Sequence, residues 1–293
     1  MSGPDWKRTV PLPESVRIVW HESDPFPRDV ALDAFYSDLT FPSPSDGLPY
    51  LVANMVMTQN GEAAVDGRAY PIGTRVDGLA LTRLRVATDA TLTGIGTVLA
   101  EDVTAVLPEA EAARRVAAGR PPRVLVAVVA SALAFGPDVL SRRMFTDPRF
   151  DRLVVASGRA APADVAGLEQ RGIEVVRVAS TADGRADLRE ALRALGRRGV
   201  RSIVTEGGPT LLTGLLRDRL VREYFLTTEP YVMGGAAAPR PVAGALDGPV
   251  VLSRISRIEH AFSDPATRAP LAEAFDRFRV VYPEAPSPTG ANA

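Results

Sequence analysis

The chain of 293 residues contains no cysteine, two histidines (His21 and His260) and one lysine, Lys7. Each shortage removes a class of chemistry. Without cysteine there are no disulfides, no thiolate nucleophile and no cysteine-ligated zinc. Neither histidine lies near a nucleophile-elbow pattern, which argues against a Ser-His-Asp hydrolase. Both histidines read as surface or strand residues, and no metal is expected. With Lys7 as the only lysine, Schiff-base catalysis from a core lysine is excluded.

Charge of one sign is also missing. The formal net charge is −1, so no field recruits nucleic acid or an anionic membrane. Neither a P-loop G-x-x-x-x-G-K nor a basic stripe occurs. No apolar run reaches the length of a membrane span, and the start of the chain lacks the basic-then-apolar pattern of a secretory signal. The expectation is a cytoplasmic protein that binds neither nucleic acid nor membrane.

What is present is an ordinary soluble composition, 46% hydrophobic and 24% charged, enough for a sizeable core in one large domain or two small ones. Residues 1–48 are proline-rich and irregular, and read as an N-terminal extension. Within it Val16 to Trp20 suits a short strand and Asp29 to Asp38 a single helix. Residues 49–283 read as the main domain, and 284–293 as a disordered tail.

From Tyr50 to Thr228 strand patterns and helix patterns alternate. Tyr50 to Thr58 is apolar except for Asn54 and Thr58 and reads as a central strand. A buried asparagine there is either a structural bridge or a ligand contact, since an unpaired amide is costly. Thr74 caps a helix running to about Ala87. Ala90 to Ile95 is the next strand, then Val124 to Val129, Asp151 to Ser157 and Ile173 to Val178. Helices are expected at Pro162 to Arg171 and Ala186 to Leu195, and residues 108–122 read as a polar connection. Val221 to Thr228 is a further strand, and two late strands, about 250–262 and 272–282, pair most simply as antiparallel neighbours. The alternation implies an α/β fold with a mainly parallel sheet covered by helices on both faces.

Three glycine loops follow strands. Gly94-Ile95-Gly96-Thr97 opens a short helix after one strand, although Leu99 stands where a dinucleotide loop has its third glycine. Glu206-Gly207-Gly208-Pro209 follows the buried Ile203 and Val204, with Leu211, Leu212, Leu215 and Leu216 at helical spacing beyond it. Gly234-Gly235 is the third. Glycines let a backbone approach a ligand, and the N–H groups of a helix start favour an anion. The loops should cluster outside the carboxyl ends of the strands. Glu206 is the odd member, because a carboxylate beside a bound phosphate repels it. It must point elsewhere, towards a second ligand that offers hydrogen-bond donors or a proton. Arg159, after the strand ending at Ser157, is a candidate for a 2′-phosphate or simply a solvated arginine.

These blocks, Asn54-Met55, Thr58-x-Asn60-Gly61, Gly94-x-Gly96-Thr97-Val98 with Asp102, Glu206-Gly207-Gly208-Pro209-Thr210, and Pro230 with Gly234-Gly235, together resemble the reductase domain of bacterial riboflavin biosynthesis. That domain is the C-terminal half of a bifunctional deaminase/reductase and also occurs as a stand-alone pyrimidine reductase. The resemblance covers about residues 49 to 282. It implies a dihydrofolate-reductase-like fold, a homodimer and NADPH as cofactor. The family reaction reduces the ribosyl group of 5-amino-6-(5-phosphoribosylamino)uracil to a ribityl chain by hydride transfer to C1′.

Position by position, the resemblance implies that Gly94, Gly96, Thr97, Val98, Ser157, Gly207, Gly208, Pro209, Thr210, Leu211 and Gly235 hold the cofactor. Asn54, Thr58 and Asp102 face the substrate, and Glu206 and Asn60 act on it. Two departures stand out. The family usually has aspartate where Asn60 stands, and asparagine removes the charge and any acid/base ability. A lysine used after this block in the bifunctional branch is missing, with Arg68 or Arg75 as the nearest cations. The zinc ligands of the deaminase half have no counterpart. The alternatives are a reductase of the same fold acting on another heterocycle, such as a pterin or dihydrofolate, and a non-catalytic nucleotide- or flavin-binding protein.

Overall fold

The computed structural model describes residues 10–43, 46–64, 72–102, 104–234 and 239–283. Its first strands are β1 (Ser15–His21) and β2 (Arg28–Ala31), followed by β3 (Tyr50–Thr58) and helix α1 (Arg75–Ala87). Then come β4 (Ala90–Gly94), α2 (Ile95–Glu101), α3 (Glu109–Ala117), β5 (Leu125–Ala130), α4 (Pro137–Leu140), α5 (Arg143–Thr146) and β6 (Asp151–Ser157). The chain continues through α6 (Pro162–Glu169), β7 (Glu174–Val178), α7 (Leu188–Gly196), β8 (Ser202–Thr205) and α8 (Pro209–Arg217). It closes with β9 (Val221–Glu229), β10 (Val251–Ser263) and β11 (Pro270–Val281).

All the strands join one 11-stranded sheet in the order β2-β1-β10-β11-β9-β3-β8-β4-β5-β6-β7. From β9 to β7 every neighbouring pair is parallel. The remaining strands pair antiparallel at one edge, with β10 and β11 matched from Val251↔Val281 to Ser263↔Pro270. This is the α/β architecture expected from the alternation of patterns.

Parallel strands are buried on both faces and so read as continuous apolar runs, as Leu125 to Ala130 does. Alternation along β3 sends Ala53 and Met55 into one layer, packed against Leu192 and Leu195 of α7 and Leu212 and Leu215 of α8. Val52 faces the other way, into a layer with Val76, Ala80 and Leu84 of α1 and with Phe225 and Phe275. Val126, Val128 and Val154 meet Val98, Met144 and Leu168 on that same side, farther along the sheet. The helix caps also follow the sequence. Thr74 accepts the Val76 N–H and Asp187 accepts the Glu190 N–H.

Two expectations need correction. Asp29 to Asp38 is not one helix: its first residues belong to β2, and only Leu32–Ala34 form a single 3-10 turn. Pairing of β2 with β1, from Ser15↔Ala31 to Ile18↔Arg28, outweighs the weak preference of a short isolated helix. Residues 108–122 are not merely a connection, because they contain α3. Its buried face carries Glu111 and Arg115 instead of an apolar stripe, so the usual periodic signal is missing. Arg115 donates to the backbone carbonyls of Arg85, Thr88, Asp89 and Pro121.

Candidate active site

Adjacent β4 and β8 end side by side, and the turns that leave them touch. The Gly94 N–H donates to the Gly207 carbonyl at 3.1 Å. Gly207 has φ +83°, a conformation that favours glycine, and a Cβ there would lie 3.1 Å from Met55 Sδ, close enough that the Met55 side chain would have to shift. The Gly207–Gly208 peptide is cis. A Cβ on Gly208 would lie 2.9 Å from Thr97 Oγ1, and one on Gly94 would lie 3.8 Å from the Gly208 N. Two of the three glycine loops therefore meet in one cradle. Gly235 lies outside the described residues.

Gly94 is the N-cap of α2 and Gly208 the N-cap of α8, and neither helix start has a side-chain cap. Pro209 occupies the first turn of α8, where its missing N–H costs nothing. Helix starts without a side-chain cap, beside turns where Gly94, Gly207 and Gly208 pack closely against Leu211, Met55 and Thr97, fit an anionic group such as a nucleotide phosphate. Thr210 is exposed in the first turn of α8 and Gly96 has open space around it.

Other residues that the resemblance assigns to the cofactor are engaged by the protein itself. Val98 is fully buried in the α2 core, and Leu211 is buried against α7 and the sheet, so both serve packing. Ser157 is buried at the end of β6; its hydroxyl meets Ser180 Oγ at 2.7 Å and accepts the Arg159 N–H at 3.2 Å. It sits two strands away from β4 and makes no hydrogen bond to the glycine cradle.

Glu206 points away from the cradle into Arg85, near the end of α1. Arg85 Nε and Nη2 donate to the two carboxylate oxygens, each at 2.6 Å, and Nη1 donates to the Thr104 carbonyl at 3.1 Å. Only 10% and 12% of the two side chains are exposed. A bidentate pair in such a place is strong and directional. The charge beside the Gly207-Gly208 turn is thereby balanced within the protein. Arg85 carried no signal, because an arginine in the last turn of a helix ordinarily complements the helix dipole.

Asn54 and Thr58 share a face of β3. No side-chain hydrogen bond involving Asn54 is formed among the described residues, leaving its half-buried amide available to a ligand. Thr58 is buried; its hydroxyl donates to Asn60 Oδ1 at 2.8 Å and accepts the Glu62 N–H at 3.0 Å. The Asn60 carboxamide is taken up by the turn and by Met233. Asp102 has left-handed backbone, φ +42°, and its carboxylate accepts the Arg143 N–H at 2.7 Å at the start of α5. That contact ties the end of α2 to α5.

A buried acidic cluster at the same edge gave no sign in the sequence. Glu229, at the end of β9, is register-paired with Thr58, while Glu273 and His260 face each other on β11 and β10. Glu273 is fully buried and accepts both the Thr74 N–H (3.0 Å) and the Thr74 hydroxyl (2.6 Å), anchoring the start of α1. His260 Nδ1 lies 3.3 Å from the same carboxylate. Burial alone pushes the Glu273 carboxyl up, but hydrogen bonds with Glu229, His260 and Thr74 outweigh it and hold the group below its ordinary value.

The chain and its fold match known proteins. A family model described as the RibD C-terminal domain matches residues 49–259. The 2,5-diamino-6-ribosylamino-4(3H)-pyrimidinone 5′-phosphate reductase of Archaeoglobus fulgidus is 33% identical over 218 residues, covering 72% of this chain and 93% of the relative. The protein of that name from Methanothermobacter thermautotrophicus is 33% identical over 196 residues, or 67% of this chain and 84% of the relative. Among solved structures, a pyrimidine reductase-like protein from Corynebacterium diphtheriae shares the fold with a TM-score of 0.67 at 23% identity, covering 86% of this chain and 99% of that one.

The class is that of an α/β oxidoreductase. Within it, the chain belongs to the RibD C-terminal domain family. Both the fold class and the family resemblance read from the sequence are borne out.

Proposed function

We propose that the chain reduces the ribosyl group of 5-amino-6-(5-phosphoribosylamino)uracil to the ribityl chain, with NADPH as reductant. The observation that carries this reading is the cradle formed where the Gly94 turn meets Gly207-Gly208, with the uncapped starts of α2 and α8 opening onto it. Backbone N–H groups there, with Thr97 Oγ1 and Thr210, would hold the cofactor phosphates. When bound, NADPH supplies the hydride for C1′, and one proton completes the ring-opened hydroxyl. The protein's task is to orient two ligands and exclude water between them. Asn54 would contact the pyrimidine, and Glu206, held by Arg85, would give the substrate side a fixed acceptor. The resemblance further implies a homodimer, which light scattering on the purified chain tests.

A second reading concerns the base. The archaeal relatives are named for the 2,5-diamino-pyrimidinone, which differs from the uracil compound at one exocyclic amine. The deciding experiment follows consumption of reduced nicotinamide with the two ribosylamino compounds and dihydrofolate in parallel. Turnover of the uracil compound supports the first reading, and turnover of the diamino compound alone supports the second. Turnover of dihydrofolate alone, or of none, overturns both.

A further inference from the structure

Asn60 lies in the turn after β3, and its carboxamide pairs with a single backbone residue on both sides. Nδ2 donates to the Met233 carbonyl at 2.6 Å, while Oδ1 accepts the Met233 N–H at 3.1 Å. Oδ1 also accepts the Thr58 hydroxyl at 2.8 Å, and Nδ2 donates to Glu62 Oε1 at 3.3 Å. Reversing the amide would set donor against donor and acceptor against acceptor at Met233, so this pairing fixes its orientation. A carboxylate has no donor and could not repeat it.

The contact is part of a longer seam. The Gln59 N–H donates to the Tyr231 carbonyl at 2.8 Å, and the Ala63 N–H to the Pro239 carbonyl at 2.7 Å. The segment leaving β9 is thus folded back over the end of β3. Thr58 and Asn54 project from the same face of that strand, by its two-residue alternation, and Glu206 leaves the neighbouring β8 at the same edge.

We propose that Asn60 is a positioning residue whose carboxamide clasps Met233 and so holds residues 231–234 as a wall of the substrate site. In this chain the residue works as a donor and an acceptor side by side, where the family's usual aspartate offers acceptors alone. The kinetic half of this inference rests on the reductase reading above; the structural half does not.

Asn60→Asp is the informative variant, because it keeps size and acceptor and removes only the donor. The KM for the pyrimidine substrate should rise severalfold with kcat unchanged, as expected when a solvent-exposed hydrogen bond is lost and a carboxylate faces the Met233 carbonyl. A protonated carboxyl donates again, so the deficit should be full above the introduced group's pKa and shrink as pH falls towards it. The ordinary value is about 4, and proximity to a carbonyl acceptor raises it. The wild type should show no such recovery. In Asn60→Ala, hydrogen exchange at the Met233 amide should speed up while exchange in β3 and β9 stays unchanged.

Unchanged or lower KM in Asn60→Asp without the pH recovery would overturn the proposal. So would unaltered Met233 exchange in Asn60→Ala. If the wild type turns over no ribosylaminopyrimidine, the reductase reading fails on its own, and Met233 exchange still decides whether the clasp exists.

Discussion

Arg85 and Glu206 form a bidentate ion pair, with both nitrogen–oxygen distances at 2.6 Å, joining the last turn of α1 to the residue before the Gly207-Gly208 turn. The pair sets the charge at the centre of the site. A lone carboxylate here would oppose an incoming phosphate, and a lone arginine would draw it to the wrong side of the turn.

Removing either partner should therefore do more than remove a contact. Arg85→Met leaves Glu206 buried without its cation and is predicted to cost about 3–5 kcal/mol of stability. Glu206→Gln keeps the shape and loses the charge; it should lower turnover while leaving NADPH affinity within a few-fold. Equilibrium unfolding and a cofactor titration on both variants check this. Collapse of NADPH binding in Glu206→Gln with normal turnover at saturation would show that the carboxylate serves the cofactor instead.

Gly207→Val is predicted to abolish NADPH binding, since φ of +83° strains any side chain and a Cβ 3.1 Å from Met55 Sδ would push that residue aside. The readout is the ligand-induced rise in melting temperature, which wild type should show and this variant should lose. A retained rise would remove the glycine cradle from the cofactor site.

Glu273 gives a pH prediction. Its carboxyl is held below the ordinary value of 4.5, so the folded state favours the ionised form more than the unfolded state does. The resulting stabilisation is complete above the unfolded value and is lost as pH falls through the folded one. Wild type should therefore exceed Glu273→Gln in stability near neutrality, and the gap should close on acidification below about pH 4.5. A gap independent of pH would mean that the cluster acts through packing alone.

Arg115 is predicted to be needed for folding. It is buried to 1% exposure, and its guanidinium serves five backbone carbonyls where α1, β4 and α3 meet. Arg115→Met strips those carbonyls of their donor and should destabilise by about 3 kcal/mol or more. A denaturant midpoint equal to that of wild type would show that water replaces the lost donor.

Different physical signals account for what was legible. The apolar runs at β3, β5 and β6 and the Thr74 cap are local patterns, and each became the element it suggested. Gly94 and Gly207-Gly208 could be matched as partners because strand ends of a parallel sheet share one edge. Asn60 was legible as a turn residue but not in its role. Its meaning depends on Met233, 173 residues away in the chain, and the loss of a negative charge hid the need for a donor. Asp102 likewise found its partner in Arg143, across a span that no periodicity connects.

The sequence by itself determined the alternation of strands and helices, hence the parallel sheet, the edge where its glycine turns collect and the family to which the chain belongs. These follow from hydrophobic period, capping and backbone freedom, all of which act between near neighbours. Tertiary structure alone decided the pairing of charges and polar groups: Glu206 with Arg85, Asn60 with Met233, and Glu273 with His260 and the start of α1. A carboxylate or an amide accepts any suitable partner within reach. Which partner arrives is set by the register of β3, β8, β10 and β11 and by the packing of α1 across them.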